Sequence, residues 1–180
     1  MKKIIAAAII LASAFELSAC AATVRQNAVV NAVPLTVPAA SSRNIVLNMA
    51  GSSVATESED WEPFKGEWRS AKAAAAKARG ASFGSQDGPP HATSEPGTLV
   101  VVDVKDYRHL SPGARIGFGV LTGNAYVDAN VRFMDLQSGA PWGGRMYNTS
   151  STAWQGIFAA MTAKQVRALS DQIVAEINPR

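Results

Sequence analysis

The sequence predicts an α+β fold: a mixed or mainly antiparallel sheet of about four strands with two helices packed on it. Three observations predict it. Leu99 to Val102 is an unbroken apolar run rich in β-branched residues, as a central strand requires. Residues 125–134 alternate apolar and polar with period two, as a half-solvated antiparallel strand does. Two longer segments repeat apolar residues at spacings of three and four, which is helical. Strand, helix, strand, strand, strand, helix is an order for helices layered on a sheet rather than for repeating βαβ units.

The elements follow in order. "NIVLNMAG", residues 44–51, is apolar on both faces, as a covered strand is. In "SEDWEPFKGEWRSAKAAAAKARG", Trp61, Phe64, Trp68, Ala71, Ala75 and Ala78 line one helix face. Glu59, Asp60 and Glu62 at its start and Lys77 and Arg79 at its end complement the helix dipole. Pro63 suits the first turn and Gly80 the stop, while Gly66 weakens the interior by about 1 kcal/mol against alanine. Residues 81–97, punctuated by Gly84, Gly88, Pro89, Pro90 and Pro96, form a long loop. "TLVVVDVKDY" is the central strand. The alternating strand 125–134 turns at Ser138-Gly139. Its return is interrupted by Pro141, Gly143 and Gly144, which predicts an edge strand or a bulge. The last helix opens with Thr162 and Gln165 in capping-box spacing and lines Val166, Leu169, Ile173 and Ile177 on one face.

The N-terminus speaks to location. Lys2 and Lys3 precede an apolar run, Ile4 to Phe15, well short of the roughly 20 residues that span a bilayer. This has the layout of a secretory signal. It ends in "LSAC", which resembles the bacterial lipobox, with the cysteine as lipid acceptor. Residues 1–19 are then a signal peptide, and Cys20 is the first mature residue and the lipid attachment site. Cys20 is the single cysteine of the 180-residue chain, so an internal disulfide is excluded. Ala21 stands where lipoproteins retained in the inner membrane carry aspartate, so the resemblance implies the periplasmic face of the outer membrane. Residues 20–43, rich in Ala, Val, Ser and Asn, are expected to be a tether of about 25–30 Å as a coil, with "VPLTV" able to dock on the domain. Residues 44–180 are the expected domain. The net charge of +3 includes Lys2, Lys3 and Glu16 of the signal, and no run of five basic residues exists. Nucleic acid is therefore not an expected partner.

Several patterns touch on chemistry. "GASFG" fits G-x-S-x-G around Ser82, but a nucleophile elbow needs a strand before it and a helix after, the reverse of this context. His91 and His109 would be its only possible bases. Asp103, Asp106 and His109 are close in sequence, yet Asp103 and Asp106 differ by three and should point to opposite faces of a strand. Asp128 and Asp135 have the same problem as a glycosidase pair. No cofactor or metal is expected. "GARIGFGVLTGN", residues 113–124, has one residue too many for G-x-G-x-x-G and is followed by a strand rather than a helix. It reads as a connection between strands. Phe118, between Gly117 and Gly119, either tucks into the core edge or, with Arg115, forms a contact loop.

The segments "SPGARIGFGVLTGNAYVDANVRFMDLQSGA" and "STAWQGIFAAMTAKQVRALSDQIVAEI", behind a lipobox, resemble the bacterial lipoproteins of domain-of-unknown-function family 4410. The shared pattern falls on Gly117, Phe118, Gly119, Asp135 and Gly139. The resemblance implies a lipoprotein class and no assigned activity. The expected function is a non-enzymatic, membrane-anchored module that meets an envelope protein or itself. Two alternatives are an envelope-acting hydrolase using Ser82 or the Asp103–His109 region, and a subunit of a secretion or trans-envelope complex.

Overall fold

The computed structural model describes residues 23–27, 34–108, 126–150 and 161–179. Its strands are β1 (Thr23–Asn27), β2 (Asn44–Gly51), β3 (Ser82–Gln86), β4 (Thr98–Arg108), β5 (Tyr126–Asp135) and β6 (Pro141–Ser150). Its helices are the single turn α1 (Ser53–Thr56), then α2 (Trp61–Ala78) and α3 (Met161–Ile177). The strands form one mixed sheet in the order β1-β6-β5-β4-β2-β3. The α+β class, the mixed sheet and the two main helices are as expected.

The sheet is wider than the expected four strands, and both additions are short edges. Thr23–Asn27, placed in the expected tether, pairs antiparallel with the second half of β6. Ser82–Gln86, placed in the expected loop, pairs parallel with β2 after the α2 crossover. "SFGSQ" carries one large apolar residue, so no periodicity marks it. Its strand state comes from the β2 partner, as edge-strand propensity usually does. The expected docking of "VPLTV" is present, with Leu35 and Val37 packed on the core.

One sheet face packs on α2 and α3. Ile45, Leu47, Val100, Val102, Val131 and Phe133 point into this layer and are buried. From α2 come Trp61, Phe64, Trp68, Ala75 and Ala76. Ala78, expected on the same face, is exposed. Seventeen residues at 100° each carry it about 100° around the helix from Trp61. The aromatic end is the tightest contact. Phe64 stacks on Tyr107 of β4 at 4.2 Å, and Trp68 meets Phe64 edge-on at 6.3 Å. Gly51 makes room for Trp61, since a Cβ there would lie 3.0 Å from the indole. The helix stops at Gly80 as expected, with φ of 67° and three amide N–H groups returned to Ala76 and Lys77 carbonyls.

The two helices run parallel. Arg79 Nη1 donates to the Asn178 carbonyl and Asn178 Nδ2 to the Arg79 carbonyl, which latches their C-terminal ends. On the opposite sheet face a smaller cluster of Leu99, Val101 and Leu136 is buried. The Pro/Gly loop straps this end of the sheet. Thr93 N and Leu136 N bond to Leu136 and Gly97 carbonyls, Gln137 Nε2 to Ser94, and Asn44 Nδ2 to Pro96. A side chain at Gly97 would put its Cβ 2.7 Å from Leu136 and 2.9 Å from the Asn44 carbonyl.

The return strand β6 carries the expected bulge, where Phe133 pairs with Gly143 and Met134 with Pro141. It is not the edge strand, because β1 covers residues 146–150.

Candidate functional site

β4 runs from Thr98 to Arg108, which gives the sheet two distinct ends. At the Thr98 end sit the Pro/Gly strap and the β5–β6 hairpin. At the Arg108 end four strand termini lie in one row: Thr23 opposite Ser150, Ser150 opposite Tyr126, and Tyr126 opposite Arg108. The chain enters β1, leaves β4, enters β5 and leaves β6 along that row. α1 caps the same end. Ser52 N–H donates to the Val104 carbonyl, Ser52 Oγ to that of Lys105, and Tyr107 OH reaches the Ala55 carbonyl. Val54 of α1 is 75% exposed, the most exposed large apolar side chain among the described residues.

A bulge shapes the open face here. The register of β4 against β5 slips between Val104 and Asp106. Lys105 is the extra residue, and the slip flips every later side chain to the other face. Asp103 and Asp106 therefore share the open face, opposite Asn130 and Asp128. This corrects the expectation that they diverge. Asp106 directly faces Asp128, a repulsive pairing across strands. Tyr126 OH donates to Asp106 at 2.8 Å and Lys105 Nζ lies 2.5 Å from Asp103, which offsets part of it. The bond to Asp106 pushes the Tyr126 hydroxyl above its ordinary pKa. Among the described residues no group of three metal-ligating side chains converges.

A second polar group lies under α3. Arg145 Nε meets Glu176 Oε2 at 2.8 Å, and Tyr147 OH donates to Glu176 Oε1 at 2.6 Å. Arg145 and Tyr147 are buried. Burial and the Glu176 carboxylate push the Tyr147 hydroxyl far up. Lys72, on the sheet side of α2, is fully buried, with Nζ 5.6 Å from the Trp68 ring centroid and no hydrogen-bond partner among the described residues. Burial drives its pKa well down, and Asp171 and Glu176 counter this only in part. Sequence reading passed over this lysine. Its signal was available: Lys72 follows Trp68 by four residues, inside the apolar stripe.

The expected site residues divide. Cys20 and the loop residues Arg115, Gly117, Phe118 and Gly119, like His109, lie outside the described residues. The flanking strands of the glycine segment are antiparallel neighbours, which agrees with a strand-to-strand connection. Ser82 opens β3, and its hydroxyl donates to the Arg43 carbonyl and to Asn44 Oδ1. His91 is bonded through its backbone to Gln86 at the other end of β3. The strand between separates them by about 13 Å, so Ser82 and His91 do not pair. Asp135 and Asp128 keep opposite faces. Asp135 accepts from Gln137 N, Ser138 N and Ser138 Oγ in the hairpin turn, and the Ser138 bond holds its carboxyl below the usual range. Among the described residues no helix is long and apolar enough to cross a membrane.

No family model matches the chain, the resemblance to family 4410 included, and no curated protein matches it. Solved structures resemble it. The PelC dodecamer from Paraburkholderia phytofirmans superposes with a TM-score of 0.53 at 16% identity, over 88% of this chain and 99% of that one. A Xanthomonas campestris protein of the DUF330 family gives 0.46 at 10% identity, over 77% and 90%. The first is a likeness of fold.

Proposed function

We propose that the chain is an envelope lipoprotein of the outer membrane's periplasmic face. Residues 1–19 are its signal peptide, Cys20 carries the lipid, and the α+β domain is a non-enzymatic assembly module that associates with copies of itself. The observation carrying this reading is the row of strand termini at the Arg108 end. It brings the chain on from the lipobox to the same end of the sheet from which the glycine segment departs. An anchor and a contact loop at one end suit a subunit whose copies stand side by side on a membrane. The fold likeness to a dodecamer-forming protein supports self-association, and the lipobox-like "LSAC" ending in Cys20 supports the lipoprotein class. The hydrolase alternative loses support from the separation of Ser82 and His91.

The test is crosslinking in cells, followed by sizing of the detergent-extracted protein, for wild type, Cys20→Ser and Phe118→Ala. Wild type is expected as an oligomer in the membrane fraction. Cys20→Ser should be soluble in the periplasm, and Phe118→Ala should be anchored with weakened crosslinks. A homogeneous wild-type monomer without crosslinked partners refutes the assembly role. A membrane-bound Cys20→Ser protein, cleaved yet free of lipid, refutes the anchor.

A further inference from the structure

We infer that the Arg108 end of the domain rests on the bilayer that holds its own lipid, with Val54, Tyr126 and Arg108 at headgroup depth. The inference depends on the reading of Cys20 as lipidated. Its ground is chain length. Thr23 already sits in β1, paired with Ser150, so Ala21 and Ala22 alone separate it from Cys20. Three residue steps reach at most about 11 Å. The headgroup layer of one leaflet is about 5–7 Å deep, and the lipid is joined at its inner boundary. Thr23 therefore stands no more than a few ångströms beyond the headgroups. A free tether over residues 21–43 would have let the domain roam, but β1 removes that freedom.

Two postures satisfy so short a stub. The domain could lie on β1, with the outer edge of that strand along the membrane, or stand on its Arg108 end. Lying on β1 turns toward lipid the backbone N–H and C=O groups of its outer edge, which pair with no described strand, and this is unfavourable. Standing on the Arg108 end presents an apolar, an amphipathic and a basic group, with Asp106 beside them held in its bond to Tyr126. Val54 is an apolar side chain 75% in the open, Tyr126 is an amphipathic ring, and exposed Arg108 can meet lipid phosphates. The Thr98 end is then held away by the length of β4, about 33 Å.

Depth-dependent quenching decides between them. The full-length lipoprotein is purified from cells and reconstituted in phosphatidylethanolamine/phosphatidylglycerol vesicles containing brominated acyl chains. An environment-sensitive fluorophore is placed at Val54→Cys or, on the strap at the Thr98 end, at Ser94→Cys. The lipidated Cys20 sulfur does not react. Quenching of about twofold or more at Val54→Cys with almost none at Ser94→Cys is expected, given 33 Å against a layer of about 7 Å. A flexible Gly/Ser insert of about ten residues between Ala22 and Thr23 should relieve the quenching while flotation persists. Equal or absent quenching at the two sites in protein that floats overturns the posture and leaves the anchor standing. Quenching unchanged by the insert overturns the stub as its cause. Protein that does not float, with an unmodified Cys20 by mass, overturns the anchor and this inference with it.

Discussion

Two cations are buried beneath the helices, and their surroundings differ. Arg145 reaches Glu176 at 2.8 Å, and Tyr147 caps the other carboxylate oxygen. Lys72 is fully buried against Trp68 with no bonding partner for its amine among the described residues. A charge can stay in a low-dielectric layer when a paired, hydrogen-bonded partner shares it. An unpaired one gives up its proton or weakens the fold. Arg145 cannot deprotonate, so its site must supply the carboxylate. A lysine can, and burial lowers the Lys72 pKa. The Arg145 group therefore ties α3 to β6 as a fixed polar joint, whereas Lys72 couples the α2 layer to pH.

The largest test of that contrast removes the shared carboxylate. Glu176→Ala leaves Arg145 charged and buried and Tyr147 without its acceptor. A loss of about 3–5 kcal/mol in urea unfolding is expected. A loss below about 1 kcal/mol would mean that water already serves the pair. The opposite sign is expected on the other side of the comparison. Lys72→Met keeps the length of the stem, fills the same space and removes the buried amine, so the variant should be more stable by about 1–3 kcal/mol. Its pH behaviour gives a second reading. A lysine with a lowered folded pKa binds its proton less tightly than the unfolded chain does. Wild-type stability then rises with pH between the folded value and the ordinary value near 10.4, by up to about 1.4 kcal/mol per pH unit. Lys72→Met should lack that rise as pH climbs toward the ordinary lysine value. Identical slopes in the two proteins would show Lys72 to be charged and solvated.

The contrast also marks what sequence could carry. β2, β4, β5 and α2 are legible because their periodicity matches their burial: the Leu99–Val102 run and the Trp61–Phe64–Trp68 stripe can be satisfied in one way only. The two edges were not. β3 and β1 are strands because β2 and β6 offer them partners, and five polar-leaning residues contain no record of a neighbour. The bulge at Lys105 was equally silent, and it alone reverses the facing of Asp106. Of the candidate site, the sequence motifs name Cys20 and the glycine segment. That β1 leaves two residues between Cys20 and the sheet depends on a pairing 127 positions away, Thr23 with Ser150, which no local pattern encodes. Lys72 was readable at i+4 from Trp68, but a lysine among alanines reads as a solvated face until the layer beneath it is known.

The smallest effect sharpens the Arg145 side. Tyr147→Phe deletes one donor to Glu176 and leaves the Arg145 bond to Oε2 in place. The carboxylate keeps its charged partner, so the cost near neutral pH should be that of one hydrogen bond, about 1 kcal/mol. The folded Tyr147 pKa is raised by burial and by Glu176. A raised folded value contributes stability in full below the unfolded pKa, about 10, and loses it as pH rises further. Above that point the wild type declines by about 1.4 kcal/mol per unit relative to the phenylalanine variant, which has no proton to release. The two stability curves should therefore cross roughly one unit above pH 10, and parallel curves through that region would place the Tyr147 hydroxyl in water rather than against Glu176.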